Sequence, residues 1–385
     1  MHNKYLIMRW NFSTVGPGGD YDSIKQSLFS HINGCVEGFI AAYQSLLDHR
    51  ITLDEDNALR SLQSVLVAVR SSPYCLYLLV DEYDNFANEV MTADVSRYEA
   101  LVRGEGVLKT VFKAVKDGTG GLGIDRVFIN GVSPVVMSDI TTGFNIGENV
   151  YLNPELNALC GFLEGEVAEM TERVAGECGL SGEQAEEALT MMKTYYDGYL
   201  FSPEAGEVVH NPTLAIYFWK HWHRYCRYPR NMLDSNLAMD RAKLSYAAAL
   251  PHGGQLILDV VEEGKPVLIG ELSDRFGVRD MLEVGEDTSL IASLLYYLGV
   301  LTLGGIASTG ELVLRIPNLV VRGLYVEQIR KMLLPERGLH EVGRRAARTL
   351  YVDGDIAPLC EFIEERIFPV MSNRDYRWAN ELTVK

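Results

Sequence analysis

Three classes of feature are scarce in this sequence, and each scarcity excludes something. No stretch approaches the roughly 20 consecutive apolar residues that a helix needs to cross a membrane, so we expect no membrane partner. Acids outnumber bases by 52 to 35, and a net charge of −17 repels nucleic-acid phosphates unless the bases cluster. The two short basic concentrations, interpreted as solvated helix faces, are Arg224, Arg227, Arg230 and Arg344, Arg345, Arg348.

Cysteine is also sparse and shows no Cys-x-x-Cys pair, which argues against a zinc or dithiol motif. The N-terminus has no apolar run followed by a small-residue cleavage site, so it does not resemble a signal peptide. We therefore predict a cytoplasmic protein whose cysteines are reduced thiols. They are Cys35, Cys75, Cys160, Cys178, Cys226 and Cys360.

The sequence also lacks a P-loop. That motif, Gly-x-x-x-x-Gly-Lys-Ser/Thr, follows a strand and cradles phosphates with its backbone N–H groups. The nearest string, Gly104 to Thr110, has no glycine directly before its lysine. We interpret it as helix and turn.

What the sequence does contain predicts an α/β fold. The 385 residues are 47% hydrophobic and 23% charged, which is typical of a folded protein of two or three domains. Apolar runs at 5–12, 75–80 and 126–131 read as buried strands. Helical patterns at 21–47, 53–69 and 93–115 separate them. Strands alternating with helices predict a parallel sheet.

After about residue 150 the pattern becomes mainly helical. Start signals precede two of the helices, with Ser181 before one and Asn211 before another, which opens with proline. A helix at 289–298 leads into strands at 300–303 and 312–316, with a turn expected at Gly304 and Gly305. A helix followed by a hairpin favours a winged-helix-like region. Two further helices are expected at 165–178 and 181–196, and a third at 212–225.

The main chemical motif is the apolar strand Leu76–Val80, which runs directly into Asp81 and Glu82. This is a Walker B pattern. Neighbouring side chains at a strand end point in different directions, so Asp81 can hold Mg²⁺ while Glu82 activates the attacking water as a base. The alternative is that the two acids cap the next helix.

The following strand also ends in polar residues. In AAA-type ATPases, a polar residue at the end of the strand beside Walker B positions the lytic water. Asn130 or Ser133 can fill that role, but Asn130-Gly131 is also an ordinary turn pair. Both interpretations stay open at this point.

These strings together resemble the AAA-ATPase-like family, whose members often carry a C-terminal PD-(D/E)xK nuclease domain. VDEYD resembles its Walker B segment, and YLIMRWNFS resembles its second strand, with Asn11 where relatives often have aspartate. Asn130 stands where many relatives have threonine. The other matching strings are RVFINGVSPVVMSDITTGFNIGENV, CGFLEGEV, YYDGYLF, HNPTLAIYF, LLYYLGVLT and RIPNLVVR.

The resemblance implies a partial P-loop NTPase. It assigns residues 1–150 to an AAA-like core, 151–325 to a helical lid and winged-helix-like region, and 326–385 to a helical linker before a nuclease domain. It implies ATP and Mg²⁺ as cofactors. Family members begin with a P-loop segment and continue into the nuclease, so this chain resembles a central fragment. AAA-type modules often form rings, which implies a homo-oligomer or protein partner.

Without a P-loop we do not expect the chain to hydrolyse ATP alone, because Asp81 and Glu82 then meet a triphosphate as like charges. The leading hypothesis is an ATPase-family module that needs a P-loop from elsewhere. The alternatives are a non-catalytic protein or nucleic-acid interaction module and a non-functional gene fragment. A nuclease within this chain is disfavoured, since Asp353-Gly354-Asp355 lacks the required lysine. Nucleic acid is expected only through the absent nuclease domain or a partner.

Overall fold

Three parallel strands form the sheet on which the N-terminal part of the chain is built. The computed structural model describes residues 4–140, 143–233, 238–261, 266–283, 288–333 and 337–367. The strands are β1 (Tyr5–Asn11), β2 (Cys75–Asp81) and β3 (Ile124–Ile129), in the order β1-β2-β3. Asn11 lies opposite Asp81 in the register, so the strands end at one edge. The predicted α/β parallel sheet is confirmed.

Six helices accompany this sheet. The first shows why the sequence forms them: Asp20 caps it by accepting a hydrogen bond from the Ser23 amide, and apolar residues recur every four positions. Of these residues, Ile24, Leu28, Ile32 and Val36 are fully buried. The helices are α1 (Tyr21–Tyr43), α2 (Ala58–Arg70), α3 (Asn85–Ala93), α4 (Val95–Val102), α5 (Val107–Thr119) and α6 (Val135–Asp139).

Element boundaries differ from those predicted where polar side chains or glycines intervene. Helix α2 starts at Ala58 because the Asn57 side chain accepts from the Leu59 amide. The mostly helical stretch predicted at 93–115, with an interruption near Gly104 and Gly106, contains the end of α3, all of α4 and most of α5. Asp94 caps α4, and Gly106 precedes α5. Strand β3 starts two residues earlier than predicted and ends at Ile129.

The rest of the described chain is mainly helical, as predicted. Ser181 and Gln184 form a capping box, and Asn211 caps the helix that begins with Pro212, so both predicted start signals are confirmed. The elements are α7 (Glu164–Glu177), α8 (Gly182–Tyr196), α9 (Pro212–Tyr225), α10 (Ala238–Ala249), α11 (Gly253–Val261), β4 (Val267–Ile269), α12 (Val278–Leu282), α13 (Ser289–Tyr297), β5 (Thr302–Ile306), β6 (Leu312–Arg315), α14 (Leu319–Leu333), α15 (Arg337–Asp353) and α16 (Ala357–Phe362).

The hairpin after α13 turns later than predicted. Gly304 and Gly305 lie inside β5, where the pairing with β6 shifts register, and the chain reverses at 307–310 with Gly310 at φ 90°. A glycine pair therefore made a bulge here rather than the turn. A short strand that the sequence did not reveal, β4, pairs with the other edge of β6.

Five strings that carry the resemblance beyond residue 150 meet at one junction. Phe162 bridges to His210, and the Thr302 hydroxyl accepts from the Leu200 amide at 2.7 Å. The Asn318 amide donates to the Asp197 carbonyl at 3.0 Å. Gly198 has φ 96° and packs against the Pro317 carbonyl, where a Cβ would collide. The junction ties α8 and α9 to the hairpin.

The prediction that all cysteines are reduced is wrong for one pair. Cys178 follows α7 and Cys226 follows α9, and the two form a disulfide although they are 48 residues apart. Only the packing of the two helices brings them together, which a search for short cysteine spacings cannot find. Closing a loop of this length stabilises the fold by about 4 kcal/mol. The cytoplasmic location is not tested by this pair and stays a prediction.

Two hydrophobic cores stabilise the described residues. The larger joins the sheet and its helices to apolar side chains from 244–325, and the smaller lies between α7, α8 and α9. The domain boundaries at 150 and 325 stay a prediction. In the described part of the chain, no helix is both long and apolar enough to span a bilayer.

The junction contains a buried histidine that makes stability depend on pH. His210 is 1% exposed, with its Nδ1 3.4 Å from the Asp197 carboxylate, and burial lowers its pKa although Asp197 opposes this. The unfolded chain takes up a proton near pH 6.5, and the folded chain does so only at lower pH. Stability is therefore complete above about pH 6.5 and is lost as the pH falls towards the folded pKa.

We expect the urea concentration at the unfolding midpoint to decrease when the pH is lowered from about 7.5 to about 5.5 in the wild type. In His210→Gln the same change of pH should decrease the midpoint less. Each unit by which the pKa is lowered corresponds to about 1.4 kcal/mol. The exposed His49 supplies the control, since His49→Gln should keep the wild-type dependence. An unchanged dependence in His210→Gln would show that His210 does not cause it.

Candidate functional site at the carboxyl end of the sheet

Asp81 and Asn130 meet at the edge where the three strands end. Asp81 is the last residue of β2, and Asn130 directly follows β3. The backbone N–H of Asn130 donates to the Val80 carbonyl at 2.8 Å. The Asn130 side-chain amide donates to Asp81 Oδ1 at 3.0 Å. Both side chains are exposed. Two residues selected from the sequence therefore form one polar contact at an open site.

Glu82 adopts an unusual backbone conformation beside them. Its φ is 50°, in the left-handed region that non-glycine residues rarely occupy. Such outliers persist where the surrounding structure fixes them, often at functional sites. The alternative that Asp81 and Glu82 cap the next helix does not fit, because the N-cap residue of α3 is Asp84.

Asp84 is the anchor of this edge. It is fully buried, and its carboxylate accepts from the Val132 amide at 3.0 Å and the Ser133 amide at 2.9 Å. The Asn88 side chain donates to it at 2.8 Å. One carboxylate therefore joins the turn after β2 to the turn after β3, and these charge-assisted bonds fix Asn130 relative to Asp81.

Tyr83 and Gly131 complete the connection. The Tyr83 hydroxyl donates to the Ser133 carbonyl at 2.5 Å, and burial raises the pKa of Tyr83 well above its usual value. The α-carbon of Gly131 lies so close to the Tyr83 ring and the Asp84 carboxylate that a Cβ would collide with both. Gly131 is needed for this close approach, which gives the Asn-Gly pair a structural reason of its own.

The remaining predicted residues lie differently. Ser133 is 6% exposed, and its backbone is held by Asp84 and Tyr83, so it sits beneath the surface on which Asn130 contacts Asp81. Asn11, at the end of β1, uses its side-chain oxygen to accept from the Ser13 amide and hydroxyl. Of the two candidates for positioning water, Asn130 is therefore the one in contact with Asp81.

The donor set fits magnesium. Mg²⁺ is usually held by one or two carboxylates, substrate phosphates and water rather than by a full protein cage. Asp81 offers an exposed carboxylate, and the amide of Asn130 orients it as an outer partner does for a metal ligand. Within the residues described, no three His, Cys, Asp or Glu side chains gather into a metal site, so no cage-type site competes.

In the described ranges each outer strand of the sheet, β1 and β3, pairs on one side only. Strand β3 also carries Phe128 near its end, which is 49% exposed. A strand with a free edge and an exposed aromatic side chain is a template for pairing. A strand paired in parallel with β3 would bring its carboxyl end to the same polar edge.

Comparison with known proteins identifies the part of the chain that contains this site. Residues 1–141 match the family described as predicted AAA-ATPase. Over this segment the chain is similar to the AAA-ATPase-like family, as the resemblance in the sequence predicted. No curated protein matches the chain. The Orc1 protein of Aeropyrum pernix, solved in complex with DNA, is 13% identical over 85% of this chain and 78% of that one, at a TM-score of 0.31. A TM-score this low supports no structural inference about this chain.

The AAA-ATPase-like segment contains one residue whose role sequence reasoning missed. Asp84 is the last residue of the VDEYD string, which contains three acids. The Walker B pattern predicts roles for Asp81 and Glu82 only. The aromatic residue Tyr83, directly before Asp84, was the available sequence signal that this part of the string is buried. Both side chains are buried in the structure. The buried carboxylate three positions after the strand stabilises the structure, while the carboxylates of Asp81 and Glu82 remain available for chemistry.

Replacing Asp84 should destabilise this segment strongly. Asp84→Ala leaves the backbone amides of Val132 and the buried Ser133 without their acceptor, so we expect the free energy of unfolding to fall by about 3 kcal/mol. Urea denaturation measures the loss. Asp48→Ala removes the same charge from an exposed loop and should change stability by less than about 0.5 kcal/mol. Equal effects in the two variants would contradict the anchoring role.

Proposed function

We propose that residues 1–141 form the catalytic-acid half of a Mg·ATP site, and that the phosphate-cradling half must be supplied beside β3. The supporting observation is the contact between Asp81 and Asn130 at the carboxyl end of a parallel sheet, next to the strained Glu82. The family match over the same residues adds to it. In this proposal Asp81 is the metal partner, Glu82 the catalytic base and Asn130 the residue that positions water.

Each residue has a distinct task in the proposed hydrolysis. Magnesium, when bound, would neutralise charge that develops on the transferred phosphoryl group. Asp81 would hold it through its exposed carboxylate. The Glu82 carboxylate would accept a proton from the attacking water, while Asn130 would orient that water. Ser133, the other residue considered from the sequence, would act through its backbone by holding the turn.

Electrostatics explain why this half alone is expected to be inactive. Asp81 and Glu82 are both carboxylates, and a triphosphate brings several more negative charges to the same edge. A P-loop offsets this repulsion with backbone N–H groups and a lysine, and no P-loop motif occurs in the sequence. The open edge of β3 is the place where a strand carrying such a loop, from another segment or another chain, would dock. The multimeric partner expected from the resemblance belongs to this proposal.

A non-catalytic interaction module is the second candidate. The observation that favours it is also the open edge of β3, because an exposed strand edge recruits another strand by main-chain pairing. The two candidates differ in what happens at Glu82. In an interaction module this residue has no role in turnover.

The deciding experiment is calorimetric titration of the chain with Mg·ATP, alongside an ATPase assay. We expect no saturable binding with Kd below about 1 mM, and no turnover. Glu82→Gln is the test variant, and Glu37→Gln, on an exposed face of α1, carries the same charge change as control.

Binding with turnover that is lost only in Glu82→Gln would overturn the inactivity of the chain and support the role of Glu82. Turnover that persists in Glu82→Gln would overturn both parts of the proposal.

A further inference from the structure

The outer face of α9 carries a basic and aromatic surface that the nucleotide site does not involve. Residues 208–233 contain no Asp or Glu, although the chain as a whole has a net charge of −17. One face of α9 is buried in the smaller core through Phe218, Trp219 and Trp222. The opposite face lines an open groove of about 480 Å³ that includes Tyr217, Lys220, His221, Arg224 and Tyr225. We call this the α9 groove.

The cations of the α9 groove are gathered around one ring. Tyr225 is 48% exposed, and the guanidinium carbons of Arg224 and Arg227 lie 5.3 Å and 5.6 Å from its centroid. The His221 ring lies 4.8 Å away, tilted by 51°. Cation–π contact holds the two like-charged guanidinium groups close to the same ring, so their positive electrostatic potentials add.

The backbone fixes this arrangement. His221 Nδ1 donates to the Arg227 carbonyl at 3.1 Å, which folds the chain after the helix back onto it. Cys226 lies between the two arginines, at φ 47°, and its disulfide to Cys178 ties it to the end of α7. The cluster is therefore anchored to a second helix and is not a freely moving tail.

Lys220, Arg224 and Arg227 lie beyond salt-bridge distance of every described carboxylate, unlike several other cations of the chain. Arg60, Arg97, Arg103, Arg173 and Arg279 each pair with an acid. Lys220, Arg224 and Arg227 have no such partner in the described ranges. Cations held close together without carboxylates repel one another, and a bound polyanion removes that repulsion.

We infer that the α9 groove binds single-stranded nucleic acid. Lys220, Arg224 and Arg227 supply the positive charge that binds the phosphates. The Tyr225 ring and the guanidinium planes of the two arginines supply flat faces on which bases stack. A duplex keeps its bases stacked inside and offers little to the aromatic part of the groove. An acidic peptide matches the charge but has no planar groups. Helix α9 has 14 residues, enough for about 4 nucleotides at the lower end of known single-strand sites.

This differs from the expectation that nucleic acid would be reached only through another domain or partner. It also differs from the interpretation of Arg224, Arg227 and Arg230 as a solvated helix face. The overall acidity does not prevent binding here, since charges beyond about 10 Å are screened at 0.1 M salt and the local field dominates.

Fluorescence anisotropy with a labelled oligothymidylate of about 12 nucleotides tests the inference on the full chain. We expect Arg224→Gln with Arg227→Gln to weaken binding at least about tenfold at about 0.1 M salt, and to lower the salt slope by about 1.4. The matched control is Arg344→Gln with Arg345→Gln, which removes the same charge from α15, where Arg344 has Glu341 as a neighbour. That pair should bind as the wild type does.

Tyr225→Leu separates stacking from charge. It keeps every cation, so we expect binding to weaken about tenfold with an unchanged salt slope. Duplex DNA and polyglutamate at equal charge should compete poorly. No binding by the wild type, equal loss in the control pair, full affinity in Tyr225→Leu, or efficient competition by either polymer would overturn the inference. None of these outcomes bears on Mg·ATP, which concerns a different edge of the molecule.

Discussion

The buried carboxylate of Asp84 determines the shape of the candidate site. It accepts hydrogen bonds from two backbone amides of the turn after β3 while belonging to the turn after β2. A buried carboxylate is costly unless several donors satisfy it, and here the amides and Asn88 do so. Because both turns depend on the same group, Asn130 is held at a fixed distance from Asp81. The exposed polar groups are therefore positioned by a buried one.

The same arrangement is the reason for proposing that the segment needs a second half. Asp81 and Glu82 concentrate negative charge at the end of the sheet, and no P-loop motif occurs in the sequence to offset it. A nucleotide site needs the positive half as well. The free edge of β3, with Phe128 half exposed, is where that half would pair. In our two proposals, the acidic edge of the sheet and the basic α9 groove are separate phosphate-binding surfaces, of which only the first needs a second half.

Much of this structure was predictable from the sequence, and the failures have physical causes. The three strands, the capped helices α8 and α9 and the pair of acids after β2 follow from local patterns, since burial and capping act within a few residues. Asp84, the Cys178–Cys226 disulfide and strand β4 depend on contacts between residues 43 or more positions apart in the chain. The Gly304–Gly305 pair failed as a turn signal because glycine serves bulges as well as turns.

Hydrogen exchange at the Val132 and Ser133 amides, followed by NMR, tests the anchoring by Asp84 most directly. These amides lie in a turn after β3, where exchange would be fast unless the Asp84 carboxylate holds them. The account predicts protection comparable with that of the β2 amide of Leu78 in the wild type, and its loss in Asp84→Ala while Leu78 stays protected. Fast exchange in the wild type, or protection that survives Asp84→Ala, would contradict it.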